Sequence, residues 1–381
     1  MAADLLPAEV LLPTSRRQFL TRLSLAAGGA ALLPSVLAAC GGDADSAATP
    51  SSAPSGVDAK WPDLRTRQVV VAGFGGETYE VRQKLEFDPF TKLSGARVTQ
   101  AAWDYGKFTE MVAKPEPEWD MIDFDGYSIA ALIEGKTPPG KLADWVRRCD
   151  LVDKAYQDYA AGSYAYSVVL GWSTKLATAP TSWADFFDTR KFPGKRAFPK
   201  SIYAGTAEIA LLADGVPKDK MYPLDLDRAI AKMNTIKKDI IFYDSYAQGQ
   251  QYMAQGSASM IATANSRMIQ LKDSGKPIDW TYQDAILYPW GGFALTQHAP
   301  NADAANALID YLSTPEAQAA VAKNLYLGPT VSAALDLLKP DELAKQPSAP
   351  DNVAKQLSVD VPSLAKQDGE YVEKFFAWVG K

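Results

Sequence analysis

The chain has 381 residues, with 39 Lys and Arg against 45 Asp and Glu, which gives a net charge of −6. This mildly acidic balance argues against a nucleic-acid-binding protein, because such proteins need a basic surface. The length favours two lobes over one core. The chain contains one histidine, His298, and two cysteines, Cys40 and Cys149. So few of these ligands make a zinc site unexpected, and no nucleophile-elbow motif accompanies His298.

Residues 1–40 have the pattern of an export leader. An arginine pair, Arg16 and Arg17, precedes an apolar run over 23–39, which is the order found in twin-arginine signals. The run is too short and too rich in Ala and Gly for a membrane-spanning helix. Leu-Ala-Ala-Cys at 37–40 resembles a lipobox, so we expect Cys40 to be acylated and to become the new N-terminus. A buried Ala-rich helix with an accidental cysteine is the alternative. With Cys40 acylated, Cys149 has no disulfide partner.

Residues 41–60 are rich in Ser, Ala and Pro, which predicts a flexible tether. After Trp61, short apolar runs alternate with Gly- or Asp-containing loops and amphipathic segments, a pattern typical of an α/β fold with a mostly parallel sheet. The predicted strands are 68–72, 96–103, 119–124, 164–170, 196–198, 240–243, 258–262 and 286–295. Helices are predicted at 77–95, 108–112, 127–134, from 182 and from 265, and at 206–213, 226–236, 302–312, 315–323 and 371–379.

The order of these segments resembles the extracellular solute-binding proteins of ATP-driven importers, in particular the spermidine/putrescine-binding branch. The segments that carry the resemblance are the aromatic-glycine loop at 68–76, Trp-Asp-Met-Ile-Asp within 119–127, Ser-Trp-Ala-Asp at 182–185, the stretch 256–267, Pro-Trp-Gly-Gly at 289–292 and the helices within 306–320. The resemblance implies a two-lobed periplasmic-binding-protein-like α/β fold, each lobe a mostly parallel sheet flanked by helices, joined by crossing hinge strands. Carried onto this chain, lobe 1 is 61–168 plus about 293–330, and lobe 2 is 169–292 plus about 331–381.

A ligand of such a fold is expected in the cleft outside the carboxyl ends of the strands, so the residues that follow each strand are the candidates. A carboxylate beside a ring, as at Asp125 and Tyr127, suits an amine, although Asp125 also suits a helix cap. Arg267 suits a carboxylate or phosphate, with a structural salt bridge as the alternative. The predicted ligand-binding residues are Phe74, Asp125, Tyr127, Tyr203, Asp244, Asn265, Arg267 and Trp290. Weaker candidates are Trp103, Asp104, Tyr105, Asp123, Ser201 and Ser245.

The resemblance implies a monomeric extracytoplasmic receptor that delivers a small polar solute, a polyamine or related amine, to an ABC permease without catalysis, metal or cofactor. The leader adds the lipid anchor. The acidic residues that polyamine binders carry after the strand at 196–198 are absent, and Trp290 stands where they have Glu. A carboxylate-bearing solute, such as an amino-acid derivative, is therefore an alternative.

Two further alternatives have less support from the residues. A twin-arginine-exported cofactor enzyme is disfavoured because Gly-Phe-Gly-Gly at 73–76 is not a dinucleotide fingerprint. A ferric-ion binder is disfavoured because Tyr164 and Tyr166 are not adjacent.

Overall fold

The computed structural model describes residues 60–73, 76–102, 105–201 and 204–380, so the predicted leader, Cys40 and the tether up to residue 59 lie outside the described residues. The strands are β1 Gln68–Gly73, β2 Arg97–Ala102, β3 Met121–Asp125, β4 Ala160–Ser173, β5 Arg196–Pro199, β6 Ile240–Tyr243, β7 Met260–Ala264, β8 Ile278–Leu295 and β9 Leu357–Ser358.

The helices flank this sheet. They are α1 Gly76–Arg82, α2 Asp88–Ser94, α3 Tyr105–Ala113, α4 Gly126–Glu134, α5 Trp183–Phe187, α6 Thr206–Ala213, α7 Leu226–Asn234, α8 Tyr246–Gln255, α9 Asn265–Asp273, α10 Ala302–Leu312, α11 Pro315–Leu325, α12 Pro340–Leu343, α13 Pro350–Val353 and α14 Val361–Val379. A π-helical turn, Gln83–Phe87, joins α1 to α2.

The strands form a sheet in the order β2-β1-β3-β8-β4-β7-β5-β6, with β9 added beside β8. At one end β1 pairs in parallel with β2 and β3, and at the other end β5 pairs in parallel with β6 and β7. Between these groups lie β4 and β8, which are antiparallel to each other and to their outer neighbours. Two long antiparallel strands therefore connect two groups of parallel strands, and the predicted α/β class is confirmed.

The contact between β4 and β8 depends on small residues. A Cβ added at Gly292 of β8 would lie 2.1 Å from the carbonyl oxygen of Ala161, which no side chain tolerates. The pairing of the two strands also shifts register between Gly162 and Tyr164 and again between Tyr164 and Tyr166. These shifts bend the long strands where they pass from one parallel group to the other.

Most predicted elements are confirmed, and the differences occur where local propensity is weak. β4 begins earlier than predicted, because Ala160, Ala161 and Gly162 are buried and pair with β8 although they are poor strand formers. β8 begins at Ile278 rather than at residue 286, and α14 begins at Val361 rather than at residue 371. The polar helix α8 was not predicted, although Ser245 caps its start and Gly256 ends it in the left-handed conformation.

Buried apolar side chains from both parallel groups and from both long strands form one large core, and a smaller core lies beneath α8 and α9. Ser182 caps α5 as predicted, since its side chain accepts a hydrogen bond from the backbone N–H of Asp185. Within the described ranges, no helix combines the length and apolar character needed to cross a membrane.

Candidate functional site

Asp125 is the last residue of β3 and lies next to the start of α4. Its side chain does not cap that helix, so the capping role considered for it is not the one it has. Instead it receives a hydrogen bond from the Tyr166 hydroxyl of β4. Burial raises the pKa of Asp125 to about 7, the Tyr166 bond opposes this rise, and the charge of Asp123 adds to it. The carboxylate thus has capacity for a further partner, and a cation would favour its charged form.

Tyrosine rings from three elements surround this carboxylate. Tyr166 of β4 is directly opposite Tyr288 of β8, and the two rings stack with centroids 4.7 Å apart and planes 3° apart. Tyr127, in the first turn of α4, packs against Tyr288 at 6.1 Å. The Tyr288 hydroxyl accepts a hydrogen bond from the backbone N–H of Gly205, 2.9 Å away. The rings are therefore held in fixed positions beside Asp125, and their faces are favourable surfaces for a cation.

Tyr246 is the first residue of α8 and extends the site toward the other parallel group. Desolvation raises the pKa of Tyr246 to about 12, the negative charge of Asp125 contributes to the rise, and the positive charge of Arg267 opposes it. The Arg267 guanidinium lies over the Tyr246 ring, 5.3 Å from its centroid. Tyr246 as a whole residue is 38% exposed, so part of its side chain meets solvent although its hydroxyl is desolvated enough to raise the pKa.

Arg267 lies in the first turn of α9, directly after β7. Its Nη1 donates to Oε1 of Gln270 at 3.3 Å, and its Nε is buried without a hydrogen-bond partner. In the described part of the chain no carboxylate forms a salt bridge with this guanidinium, so the structural salt bridge considered for it is not present there. A buried, unsatisfied N–H on a fixed cation is suited to an incoming anion.

The other predicted site residues lie in different environments. Asp244 is exposed, and Ser245 caps α8. Asn265 is fully buried, with its amide bonded to the backbone of Ser167 and of Tyr326. Phe74, Tyr203, Trp103 and Asp104 lie outside the described residues.

Trp290 is 1% exposed and packs beneath the start of α4, where a Cβ added at Gly126 would lie 2.5 Å from the Trp290 ring. Its ring centroid lies 6.3 Å from that of Tyr156, and its Nε1 is buried without a hydrogen-bond partner among the described residues. Trp290 therefore supports the junction of β3 and α4, where Asp125 lies, and its predicted ligand contact stays a prediction.

A buried ionic network beneath Asp125 was not predicted. Arg82 donates to Glu86 at 2.5 Å, to Asp123 at 2.9 Å and to Ser163 at 2.6 Å, and all three charged side chains are at most 1% exposed. Tyr79 also donates to Asp123, at 2.7 Å. With two carboxylates around one guanidinium, this network places negative charge below Asp125. The sequence does indicate one pair of this network, because Arg82 and Glu86 have the i,i+4 spacing that brings opposite charges together on a helix.

Nothing in the described residues resembles a metal centre, since no group of three or more His, Cys, Asp and Glu side chains is suitably placed. The arrangement that the structure brings together is instead a carboxylate and a guanidinium, with tyrosine rings between and beside them. It can bind charge of both signs.

The family model of bacterial extracellular solute-binding proteins matches residues 87–351. A γ-aminobutyric acid-binding protein of Pseudomonas aeruginosa is 28% identical over 332 residues, covering 83% of this chain and 92% of that protein. The solved Atu4243-GABA receptor is 34% identical with a TM-score of 0.73, covering 82% of this chain and 97% of the receptor.

Another solved structure, AgtB from A. tumefaciens R10 in complex with agropinic acid, is 25% identical with a TM-score of 0.72, covering 83% of this chain and 99% of AgtB. The spermidine/putrescine-binding protein PotD of Streptococcus pneumoniae is 14% identical with a TM-score of 0.63, covering 83% of this chain and 99% of PotD. At that identity the likeness to PotD shows the fold alone.

These neighbours have the two-lobed periplasmic-binding-protein fold, which confirms the predicted fold class. They serve transport outside the cytoplasm: they bind small molecules for ABC permeases and are not enzymes. The chain therefore belongs to the bacterial extracellular solute-binding proteins.

Proposed function

We propose that this protein captures a small zwitterion, such as an ω-amino acid or a related amino-acid conjugate, and delivers it to an ABC permease. The observation that carries the proposal is the position of the Tyr246 ring: the Arg267 guanidinium lies 5.3 Å from its centroid, and Asp125 is near enough for its negative charge to raise the Tyr246 pKa. An ammonium group near Asp125 and a carboxylate near Arg267 would satisfy both ends of the site.

Each charged end of the site favours a solute group of the opposite charge, for a physical reason. Asp125 is a partly buried carboxylate with one tyrosine partner, and an ammonium would stabilise its ionised form beside the stacked rings. Arg267 has a buried N–H without a partner, and a carboxylate would satisfy it. A polyamine has only positive charge, so Arg267 would repel it.

Two of the relatives are named for γ-aminobutyric acid, which has an ammonium at one end and a carboxylate at the other. This supports the amino-acid alternative over the polyamine that the sequence resemblance favoured. Phe74, Tyr127, Tyr203, Asp244 and Trp290 remain predicted contributors to the same site.

We also propose that the two lobes divide as predicted, with 61–168 and about 293–330 in one and 169–292 and about 331–381 in the other. The two groups of parallel strands support this division, because β4 and β8 are the strands that pass between them. Asp125 then belongs to one lobe and Arg267 to the other, so a zwitterion that contacts both stabilises the closed arrangement.

Export by the twin-arginine route and a lipid anchor at Cys40 are further parts of the proposal, and their support is the leader sequence. A single acyl chain gives only marginal anchoring, so we expect more than one chain at Cys40. The tether would then leave the receptor close to its permease, and we expect the protein to act as a monomer.

A matched set of four-carbon ligands tests the proposal by calorimetry and thermal unfolding. The set is 4-aminobutanoate, butanoate, butylamine and putrescine, which carry both charges, only the negative charge, only the positive charge and two positive charges. We expect 4-aminobutanoate to bind at least about 100-fold tighter than the others. At 100 times its Kd it should add about 2.7 kcal/mol to the free energy of unfolding. A larger stabilisation by putrescine would instead support the polyamine alternative.

Variants connect this result to the site. Arg267→Gln should strongly weaken the binding of 4-aminobutanoate and leave the binding of butylamine unchanged, because only 4-aminobutanoate has a carboxylate that loses its partner. Arg228→Gln is the matched control, since Arg228 is paired with Asp214 at the surface, outside the site. If Arg267→Gln and Arg228→Gln bind 4-aminobutanoate equally well, Arg267 does not contact the carboxylate.

A further inference from the structure

Asn265 occupies a junction that the proposed solute contacts do not explain. It is the first residue of α9 and is 0% exposed. Its Oδ1 accepts a hydrogen bond from the backbone N–H of Ser167 at 3.0 Å, and its Nδ2 donates to the backbone carbonyl of Tyr326 at 2.9 Å. Both ends of the amide are therefore bonded to backbone atoms of segments remote in sequence.

The two partners lie on different chain segments that meet at this point. Ser167 belongs to β4 and follows Tyr166, the residue that donates to Asp125. Tyr326 directly follows α11 and leads to Gly328, which pairs with Ala165 of β4 through backbone hydrogen bonds of 2.6 and 2.8 Å. The Asn265 amide thus ties the β7–α9 junction to β4 and to the segment after α11.

We propose that Asn265 is a positioning residue that fixes Arg267 relative to Asp125, without contacting the solute itself. This inference rests on the proposed function of the site. Arg267 is two residues further along α9, so the attachment of Asn265 determines where the guanidinium lies. On the other side, the Ser167 bond fixes the strand that carries Tyr166. One buried amide therefore sets the spacing between the two charged ends of the site.

Asparagine is well suited to this position because it supplies an acceptor and a donor at once. Leucine has a similar size but provides neither, so Asn265→Leu leaves the Ser167 N–H and the Tyr326 carbonyl without partners. Aspartate keeps the acceptor for Ser167 and places a second acceptor against the Tyr326 carbonyl, so Asn265→Asp breaks only one of the two attachments.

Asn306 offers a matched control within the same molecule. It is also buried, its Oδ1 accepts from the backbone N–H of Ala143 at 2.9 Å, and its Nδ2 donates to the carbonyl of Ala302 at 2.8 Å. It lies on α10 and bonds neither β4 nor the segment after α11. Asn306→Leu and Asn306→Asp therefore cause the same chemical losses away from the solute site.

The experiment measures hydrogen exchange without ligand and 4-aminobutanoate affinity by calorimetry, using the whole protein. We expect both Asn265 variants to exchange faster at 165–168, 265–273 and 326–328, and the Asn306 variants to match the wild type there. In Asn265→Asp the lost attachment to Tyr326 should leave Arg267 misplaced, and we expect 4-aminobutanoate binding to weaken about tenfold. We expect a larger loss of affinity in Asn265→Leu, and less than about a twofold change of affinity in either Asn306 variant.

Unchanged affinity in the Asn265 variants, or equal losses in the Asn306 variants, would overturn the positioning role. If wild-type protein does not bind 4-aminobutanoate, the proposed function fails, and exchange then decides the role of Asn265 by itself. Wild-type exchange in both Asn265 variants would show that this amide does not hold the junction.

Discussion

Asp125 combines a partly buried position with a pKa of about 7, and this links solute binding to pH. The raised pKa means that much of Asp125 is protonated below neutral pH, whereas an ammonium binds the carboxylate form. The apparent Kd rises as the competent fraction falls, so affinity for 4-aminobutanoate should fall about tenfold from pH 8 to pH 6. Calorimetry at pH 6, 7 and 8 measures this dependence.

Asp125→Asn should bind weakly and lose this pH dependence, while Asp303→Asn, an exposed change on α10, should behave as the wild type. The stability of the ligand-free protein depends on pH in the opposite direction from the affinity. The folded pKa lies above the ordinary value of 3.8, so ligand-free protein loses stability as pH rises between about 4 and 7. Asp125→Asn should therefore be more stable than wild type at pH 8, by about 1–4 kcal/mol. An affinity that stays flat from pH 6 to pH 8 would contradict this account of Asp125.

Arg82 permits a second test, because it is the cation of a buried network with two carboxylates. Arg82→Met leaves Glu86 and Asp123 buried without their counter-charge, which should lower the free energy of unfolding at pH 7 by about 3–5 kcal/mol. Burial already raises the pKa of both carboxyl groups, and the loss of Arg82 would raise these pKa values further. Part of the lost stability should therefore return at pH 5, as the carboxyl groups become protonated.

Urea unfolding at the two pH values measures the cost of Arg82→Met. The control is Arg65→Met, since Arg65 pairs with Asp63 at the surface, with 75% and 63% of the two side chains exposed. An exposed pair contributes at most about 1 kcal/mol. If Arg82→Met lowers the free energy of unfolding no more than Arg65→Met does, the buried network does not stabilise the fold beneath Asp125 as argued.

Helix α14 shows how an element far along the chain supports the site. It packs against α4, which begins after Asp125, and also against α7. The Tyr371 hydroxyl accepts a hydrogen bond from the backbone N–H of Ala207 at 2.7 Å, at the start of α6. Tyr371→Phe leaves this buried N–H without a partner and should cost about 1–3 kcal/mol of stability.

Thermal and urea unfolding of Tyr371→Phe measure that cost. Tyr326→Phe is the control, because the Tyr326 hydroxyl makes an exposed hydrogen bond to Asp273 at 3.0 Å. We expect a loss below about 1 kcal/mol for the control. Equal stability of the two variants would mean that the Tyr371 bond does not attach α14 to α6.

The rule that ligand contacts follow strand ends selected Asp125 and Arg267 as candidates from the sequence, because it needs only local strand assignments, and their ligand contacts stay predictions. Tyr166 and Tyr288 could not be assigned to the site in that way. They meet because β4 and β8, remote in sequence, are antiparallel neighbours in a particular register. Tyr246 was missed with α8, whose polar sequence hides its periodicity.

The start of α14 was missed for a related reason. Pro362 and Gly369 interrupt its pattern, whereas the Asp360 cap and the tertiary contacts of the helix stabilise it. Local residues thus predicted most elements, and sheet register and packing determined the remainder.

In the molecule as a whole, Asp125 ends β3 and Arg267 follows β7, two strands that belong to different parallel groups. A zwitterion bound to both should hold these groups together, and the proposed lobes should close about β4 and β8. Small-angle scattering should then show a smaller radius of gyration with 4-aminobutanoate than without it. Butylamine can contact only Asp125 and should produce no such change, even at saturation.

The anchor can be separated from this closure, because the proposed lipid site at Cys40 precedes the tether and the solute site follows it. Cys40→Ser should release the protein from membranes into the soluble fraction, while its affinity for 4-aminobutanoate stays within about twofold of wild type, since no described site residue changes. Cell fractionation and calorimetry on the released protein measure the two properties. Cys149→Ser, at a buried thiol, is the matched control and should stay with the membrane. A Cys40→Ser protein that remains firmly membrane-bound would refute the lipid anchor and leave the solute site untouched.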